Sequence, residues 1–131
     1  QNKIIYNEFL EKSQKIEGLF IPKLKNKVQR TILKNLDDSP NPTIQLMSKS
    51  FQGKNIFEDN FFIEVNRGCP YQCKFCISSF HNSPFRNKTY ENIIDVIERG
   101  IKYSKFDTIS LIGSCVSSHP KFNQICEYII D

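Results

Sequence analysis

Apolar residues recur at helical spacing twice in the C-terminal half of the chain. Tyr90, Ile93, Ile94, Ile97 and Ile101 fall on one face, which predicts a helix over 90–103 with Thr89 as its N-cap. Phe122, Ile125, Cys126 and Ile129 form a second stripe after Pro120, which suits the first turn of a last helix. A short apolar run precedes each helix. Asn60-Phe61-Phe62-Ile63-Glu64-Val65 and Thr108-Ile109-Ser110-Leu111-Ile112 are rich in aromatic and β-branched residues and predict strands. Strands alternating with helices imply parallel β/α units, whose chemistry sits on loops leaving the C-terminal strand ends. Residues 66–76 leave the first strand at that end, and Gly113-Ser114-Cys115 leaves the second. Both loops should face one pocket.

The N-terminal half is less regular. Asn7 is a candidate cap for a helix over 8–16, with Phe9, Leu10 and Ile16 apolar and Gly18 ending it. Leu19-Phe20-Ile21 is stopped by Pro22. Residues 23–34 carry Lys23, Lys25, Lys27, Arg30 and Lys34 with no acid. They read as an edge strand that lysines protect from pairing, in preference to a polyanion-binding strip. Asp37-Asp38-Ser39-Pro40-Asn41-Pro42 is a turn or linker, because both prolines block regular hydrogen bonding. Residues 43–60 are expected to be irregular and to cover something larger. The domain reading is a linker segment over 1–58 (helix, basic strand, Pro-rich turn) and two β/α units over 59–131.

A length of 131 residues suits about one domain, and 39% hydrophobic residues can build a core. No run approaches the roughly 18 apolar residues of a membrane helix. The first residues run into Glu8, Glu11 and Lys12 and form no signal-peptide core, so the expected location is cytoplasmic. Trp and Ala are both absent, while Ile, Asn and Lys abound, a pattern that an AT-rich coding bias explains. The net charge of +4 is mild, and a nucleic-acid partner is not expected from it.

Five cysteines carry the chemistry: Cys69, Cys73, Cys76, Cys115 and Cys126. An odd number argues against a disulfide framework. The first three have the spacing C-x3-C-x2-C in Cys69-Pro70-Tyr71-Gln72-Cys73-Lys74-Phe75-Cys76. Thiolates are the preferred ligands of iron–sulfur clusters and zinc, and one short loop can present three of them. Three ligands on a four-iron cluster leave one iron open to a small molecule. A structural zinc site would need a fourth ligand, for which Cys115, His81 and His119 are candidates. A closed electron-transfer cluster could use Cys115.

Cys69, Cys73, Phe75 and Cys76 match the signature C-x3-C-x-aromatic-C, and the chain thereby resembles the radical S-adenosylmethionine (radical SAM) superfamily. The resemblance implies a [4Fe–4S] cluster held by Cys69, Cys73 and Cys76. It implies S-adenosylmethionine on the fourth iron, reductively cleaved to a 5′-deoxyadenosyl radical with electrons from a ferredoxin or flavodoxin. It places Phe75 beside the adenine, with its ring packed under the loop, and Gly113 and Ser114 near the methionine group. The family's common Gly-Gly-Glu is here Gly113-Ser114-Cys115. The string Leu111 to Pro120 is similar to a variant in cobalamin-associated members and, more loosely, to the tRNA methylthiotransferases. Ile16-Glu17-Gly18-Leu19-Phe20-Ile21-Pro22 and Phe61 to Cys69 also follow the cobalamin-associated layout, which implies cobalamin through a domain outside these 131 residues. The family barrel has about six β/α units and two are visible, so the chain is expected to be the first part of such a barrel within a longer or split protein.

Other residues have simpler readings. Arg67 could hold a carboxylate of a ligand or pair with Glu64. Arg86 reads as a surface residue, Cys126 as a small core residue and His81 as exposed. His119 reads as a residue at a helix start, and Gly68 as allowing close backbone approach.

Overall fold

A computed structural model describes residues 2–45 and 60–130. The chain divides into two compact units, Gln1–Leu33 and Lys34–Asp131. The expectation of irregular cover over 43–60 falls largely on 46–59, outside the described residues.

In the first unit, helix α1 spans Asn2–Ser13. It begins before Asn7, the expected cap, and ends earlier than Ile16. Ser13 Oγ donates to the Phe9 carbonyl at 2.7 Å, a back-bond that competes with helix propagation. Gly18 then adopts φ +76°, a left-handed turn conformation. The basic segment that follows forms no strand; it is a turn over 22–25 followed by chain outside regular secondary structure.

The second unit is mixed α/β. Strand β1 (Asn60–Glu64) pairs in parallel with β4 (Thr108–Ile112), in register from Asn60 opposite Thr108 to Glu64 opposite Ile112. Helix α3 (Tyr90–Tyr103) connects them, capped by Thr89, whose side chain accepts from the Asn92 amide. These three elements coincide with the sequence reading, because alternating burial in β1 and a clean apolar face in α3 both point to one core. Phe61, Ile63 and Val65 alternate inward from β1 and meet Ile93, Val96 and Ile97 of α3 and Ile125 of α4 (Phe122–Ile130). Ile101, expected on the apolar face, is 62% exposed. Cys126 is half-buried and lies outside the core cluster.

The short strands β2 (Asn66–Arg67) and β3 (Arg86–Asn87) form a separate antiparallel ribbon. The loop between them holds all three clustered cysteines and the helix α2 (Ile77–His81). Val65 joins the two sheets: its amide donates to the Ile112 carbonyl at 2.8 Å and its carbonyl accepts from Lys88 at 2.9 Å.

The segment before the undescribed stretch lies against this unit. Gln45 bonds the backbone of β1, donating to the Phe62 carbonyl at 2.8 Å and accepting the Phe62 amide at 3.0 Å. One side-chain amide thus fills the place of a neighbouring strand at that residue. Asp37 accepts from the Thr89 amide, and Asn41 bonds Asn92.

Candidate metal and cofactor site

The parallel register puts the ends of β1 and β4 side by side, so the cysteine loop and Gly113–Cys115 leave the sheet at the same edge. Asn66 ties them together. It is 1% exposed, and its Nδ2 donates to the Cys115 carbonyl at 2.7 Å, while Oδ1 accepts from the Cys115 amide at 3.5 Å. A Cβ at Gly113 would lie 2.8 Å from Asn66 Cγ and collide with Oδ1. Gly113 is therefore required by packing within the chain. Ser114 beside it is exposed.

The cysteine loop opens at Gly68, with φ +84°. A Cβ there would approach the Pro84 and Asn82 carbonyls at 2.7 and 2.8 Å. Arg86 donates to the same two carbonyls, at 3.0 and 3.2 Å. The guanidinium expected on the open surface thus secures the far end of the loop. Within the loop, Gln72 has φ +44° and the Cys76 amide donates to the Cys73 carbonyl at 3.0 Å.

Cys69, Cys73 and Cys76 are half-exposed free thiols. Hydrogen bonds from the backbone amides of Ser79 and Ser78, then from the Ser79 side chain, draw the Cys76 thiol below its ordinary pKa. The thiolate is the ligating form, so the donor chemistry suits a thiophilic metal or an iron–sulfur cluster. Among the described residues no group of three or more His, Cys, Asp or Glu side chains is gathered into a metal-holding arrangement. The three thiols share one loop without converging on a point.

Cys115, the candidate fourth ligand, lies at the start of the 3-10 turn Val116–Ser118, with Sγ 3.0 Å from Ser118 Oγ. His119 is buried, and Nδ1 accepts from the Lys121 amide at 3.1 Å. That bond assigns the proton to Nε2, which donates to the Lys88 carbonyl at 2.8 Å. Both ring nitrogens are engaged in fixing the start of α3 to the loop after β4. His81 is exposed.

Phe75 differs from expectation. Its ring is 93% exposed and does not pack under the loop. The Cys73–Cys76 hydrogen bond closes a tight turn with no interior for a phenyl group, and Tyr71, Ile77 and Phe80 around it are exposed too. Arg67 pairs with Glu64, Nε to Oε1 at 2.8 Å and the second nitrogen to Oε2 at 2.7 Å. The Glu64 hydrogen bond holds the Arg67 guanidinium more firmly charged than usual.

Sequence reasoning passed over Asn66 and Lys88. Lys88 is 1% exposed, with Nζ 2.6 Å from Asn41 Oδ1 and 3.4 Å from the Ser39 carbonyl. Burial lowers its pKa, opposed by the more distant charges of Glu64 and Asp37. A polar residue at a strand end gives no periodic signal, so neither was visible in the pattern. Beside the site, a cavity of about 440 Å³ is lined by Phe62, Glu64 and Ile112 and by the Pro40–Gln45 segment.

The chain is 28% identical over 130 residues to an uncharacterized protein of Methanocaldococcus jannaschii, covering 98% of this chain and 27% of that protein. It is 28% identical over 67 residues to a tRNA-2-methylthio-N(6)-dimethylallyladenosine synthase of Chlorobium phaeobacteroides, covering 51% of this chain and 15% of the synthase. The chain therefore spans about a quarter or less of the length of these relatives. No family model matches the chain. No solved structure matches it. Among the described residues no helix is long and apolar enough to cross a membrane.

Proposed function

We propose that this chain supplies the cluster-holding and cofactor-facing part of a radical SAM enzyme. The observation that supports this reading most directly is the common edge of two loops. One loop carries Cys69, Cys73 and Cys76, and the other carries Gly113 and Ser114. Asn66 bonds the second loop from the base of the first. In this reading the three cysteines are the ligands of a [4Fe–4S] cluster and Cys115 is not. A reduced cluster of this kind supplies the electron for reductive cleavage of S-adenosylmethionine. The chain's own part is to bind and to position. Cys76 is held toward its thiolate by the amides of α2, main-chain groups near Phe75 and at Gly113–Ser114 face the cofactor, and a small redox protein of the ferredoxin or flavodoxin type delivers the electron.

The partial similarity to the methylthio-adenosine synthase favours a narrower reading, in which the whole protein modifies a tRNA base. Cobalamin rests on the sequence resemblance alone.

The test is anaerobic reconstitution with iron and sulfide, followed by dithionite reduction. The reading expects a brown protein whose EPR signal changes when S-adenosylmethionine is added. A colourless protein that binds one zinc, with Cys115 needed for it, would instead establish a closed structural site.

A further inference from the structure

The chain's net charge of +4 is segregated. Residues 1–33, a compact unit, hold seven Lys and Arg against three Glu, so this unit carries the whole excess and the rest of the chain is balanced. A Lys-rich composition raises cations everywhere; it does not confine the excess to one unit.

The cations are displayed by a built turn. The Leu24 and Lys25 amides both donate to the Ile21 carbonyl, at 3.0 and 3.1 Å, and Lys25 takes φ +49°. Asn26 pins the turn, accepting from the Ile21 amide at 2.9 Å and donating to the Leu19 carbonyl at 3.0 Å. Lys23, Lys25 and Lys27 project from it, all exposed. Among the described residues Lys15, Lys25 and Lys27 enter no ion pair, while Lys12 is matched by Glu8. An adjoining groove of about 510 Å³ is lined by Lys15, Lys27 and Arg30, with Glu17 the acidic residue among its walls. Phe9 and Phe20 of the same unit are 63% and 54% exposed, and the Lys23 ammonium lies 4.7 Å from the Tyr6 ring centre.

We propose that this unit binds the phosphate backbone of a single-stranded nucleic acid, with Lys23, Lys25 and Lys27 at phosphates and the exposed rings offering faces on which bases stack. Cations with interleaved aromatics are the two components of such binding. The proposal is independent of the cysteine loop, because it concerns the chain without any cluster.

The test is fluorescence anisotropy of a labelled single-stranded RNA of about 20 nucleotides, and of the DNA of the same sequence, between about 50 and 200 mM salt. Binding that weakens with salt is expected. Lys23→Gln/Lys25→Gln/Lys27→Gln should weaken it on the order of tenfold or more at low salt, and lower the log–log salt slope by about two. The triple Lys→Arg variant should bind as the parent does. Lys102→Gln/Lys105→Gln/Lys121→Gln, in the other unit, should leave binding unchanged. If the triple Gln variant alters the circular dichroism spectrum, the three single variants carry the test, each losing a part. Equal loss in the control triple, salt-independent binding, no binding at low salt, or preference for anionic vesicles over both oligonucleotides would overturn the proposal. The RNA and DNA arms show which backbone is preferred.

Discussion

The Asn66 side chain donates to the Cys115 carbonyl at 2.7 Å, across the junction of the two loops that leave β1 and β4. The same side chain occupies the space that a Cβ on Gly113 would need. Asn66→Ala should cost about 1–3 kcal/mol, since the half-buried Cys115 carbonyl loses its partner and the buried site loses its side chain. Gly113→Ala should also destabilise. Combined, the two should cost less than their sum by about 0.5–3 kcal/mol, because removing Oδ1 relieves the clash. Urea unfolding of the four proteins of this cycle measures it; strict additivity would separate Gly113 from Asn66.

Gly68 is the stricter position. Its φ of +84° and the Pro84 and Asn82 carbonyls behind it leave no room for a side chain. Gly68→Ala should lower stability by about 1–3 kcal/mol and should loosen the cysteine loop. Faster proteolysis between Gly68 and Arg86, read by mass spectrometry, is the expected signature.

The Cys76 thiol should titrate below its ordinary value, because α2 amides stabilise its thiolate. Its folded pKa is depressed, so the associated stability is present above the unfolded cysteine value and is lost as pH falls through the folded value. Iodoacetamide labelling of the metal-free chain across pH should show Cys76 reacting at lower pH than it does in the urea-unfolded chain. Ser79→Ala, which deletes one of the bonds to Cys76, should move its profile upward. Coincident profiles for folded and unfolded protein would contradict the amide bonds.

Much of the fold was legible from periodicity. β1, α3 and β4 follow from Phe61, Ile63 and Val65 alternating and from Ile93 and Ile97 at helical spacing, since each pattern has a core to face. That Cys69, Cys73 and Cys76 share one loop was legible from their spacing. Asn66 and Lys88 were not, because a buried polar group is defined by partners distant in sequence, Cys115 for one and Asn41 for the other. α1 was misplaced because a local cap such as Asn7 is a weak signal where no tertiary face fixes the helix. The place of Phe75 came from the resemblance and not from any pattern, and its ring, expected to pack under the loop, lies almost wholly in solvent.

Lys88 gives a pH prediction of the same sign, from a different cause and in a more alkaline range. Burial lowers its folded pKa, so folding disfavours the charged amine. The penalty is fully present below the folded value and is relieved as pH rises toward the unfolded lysine value of about 10.4. Lys88→Met should remove that alkaline gain in stability, at the expense of the bonds to Asn41 and Ser39. Parallel stability–pH curves for the parent and Lys88→Met would show that the amine is solvated in the fold.

The central claim is that Cys69, Cys73 and Cys76 hold the cluster and Cys115 does not. Iron bound per chain after anaerobic reconstitution tests it most directly, in the parent and in the four single Cys→Ala variants. The account predicts about four irons in the parent and in Cys115→Ala, and almost none in Cys69→Ala, Cys73→Ala or Cys76→Ala. Loss of iron in Cys115→Ala as complete as in Cys73→Ala would mean a closed site, and would contradict the radical SAM reading.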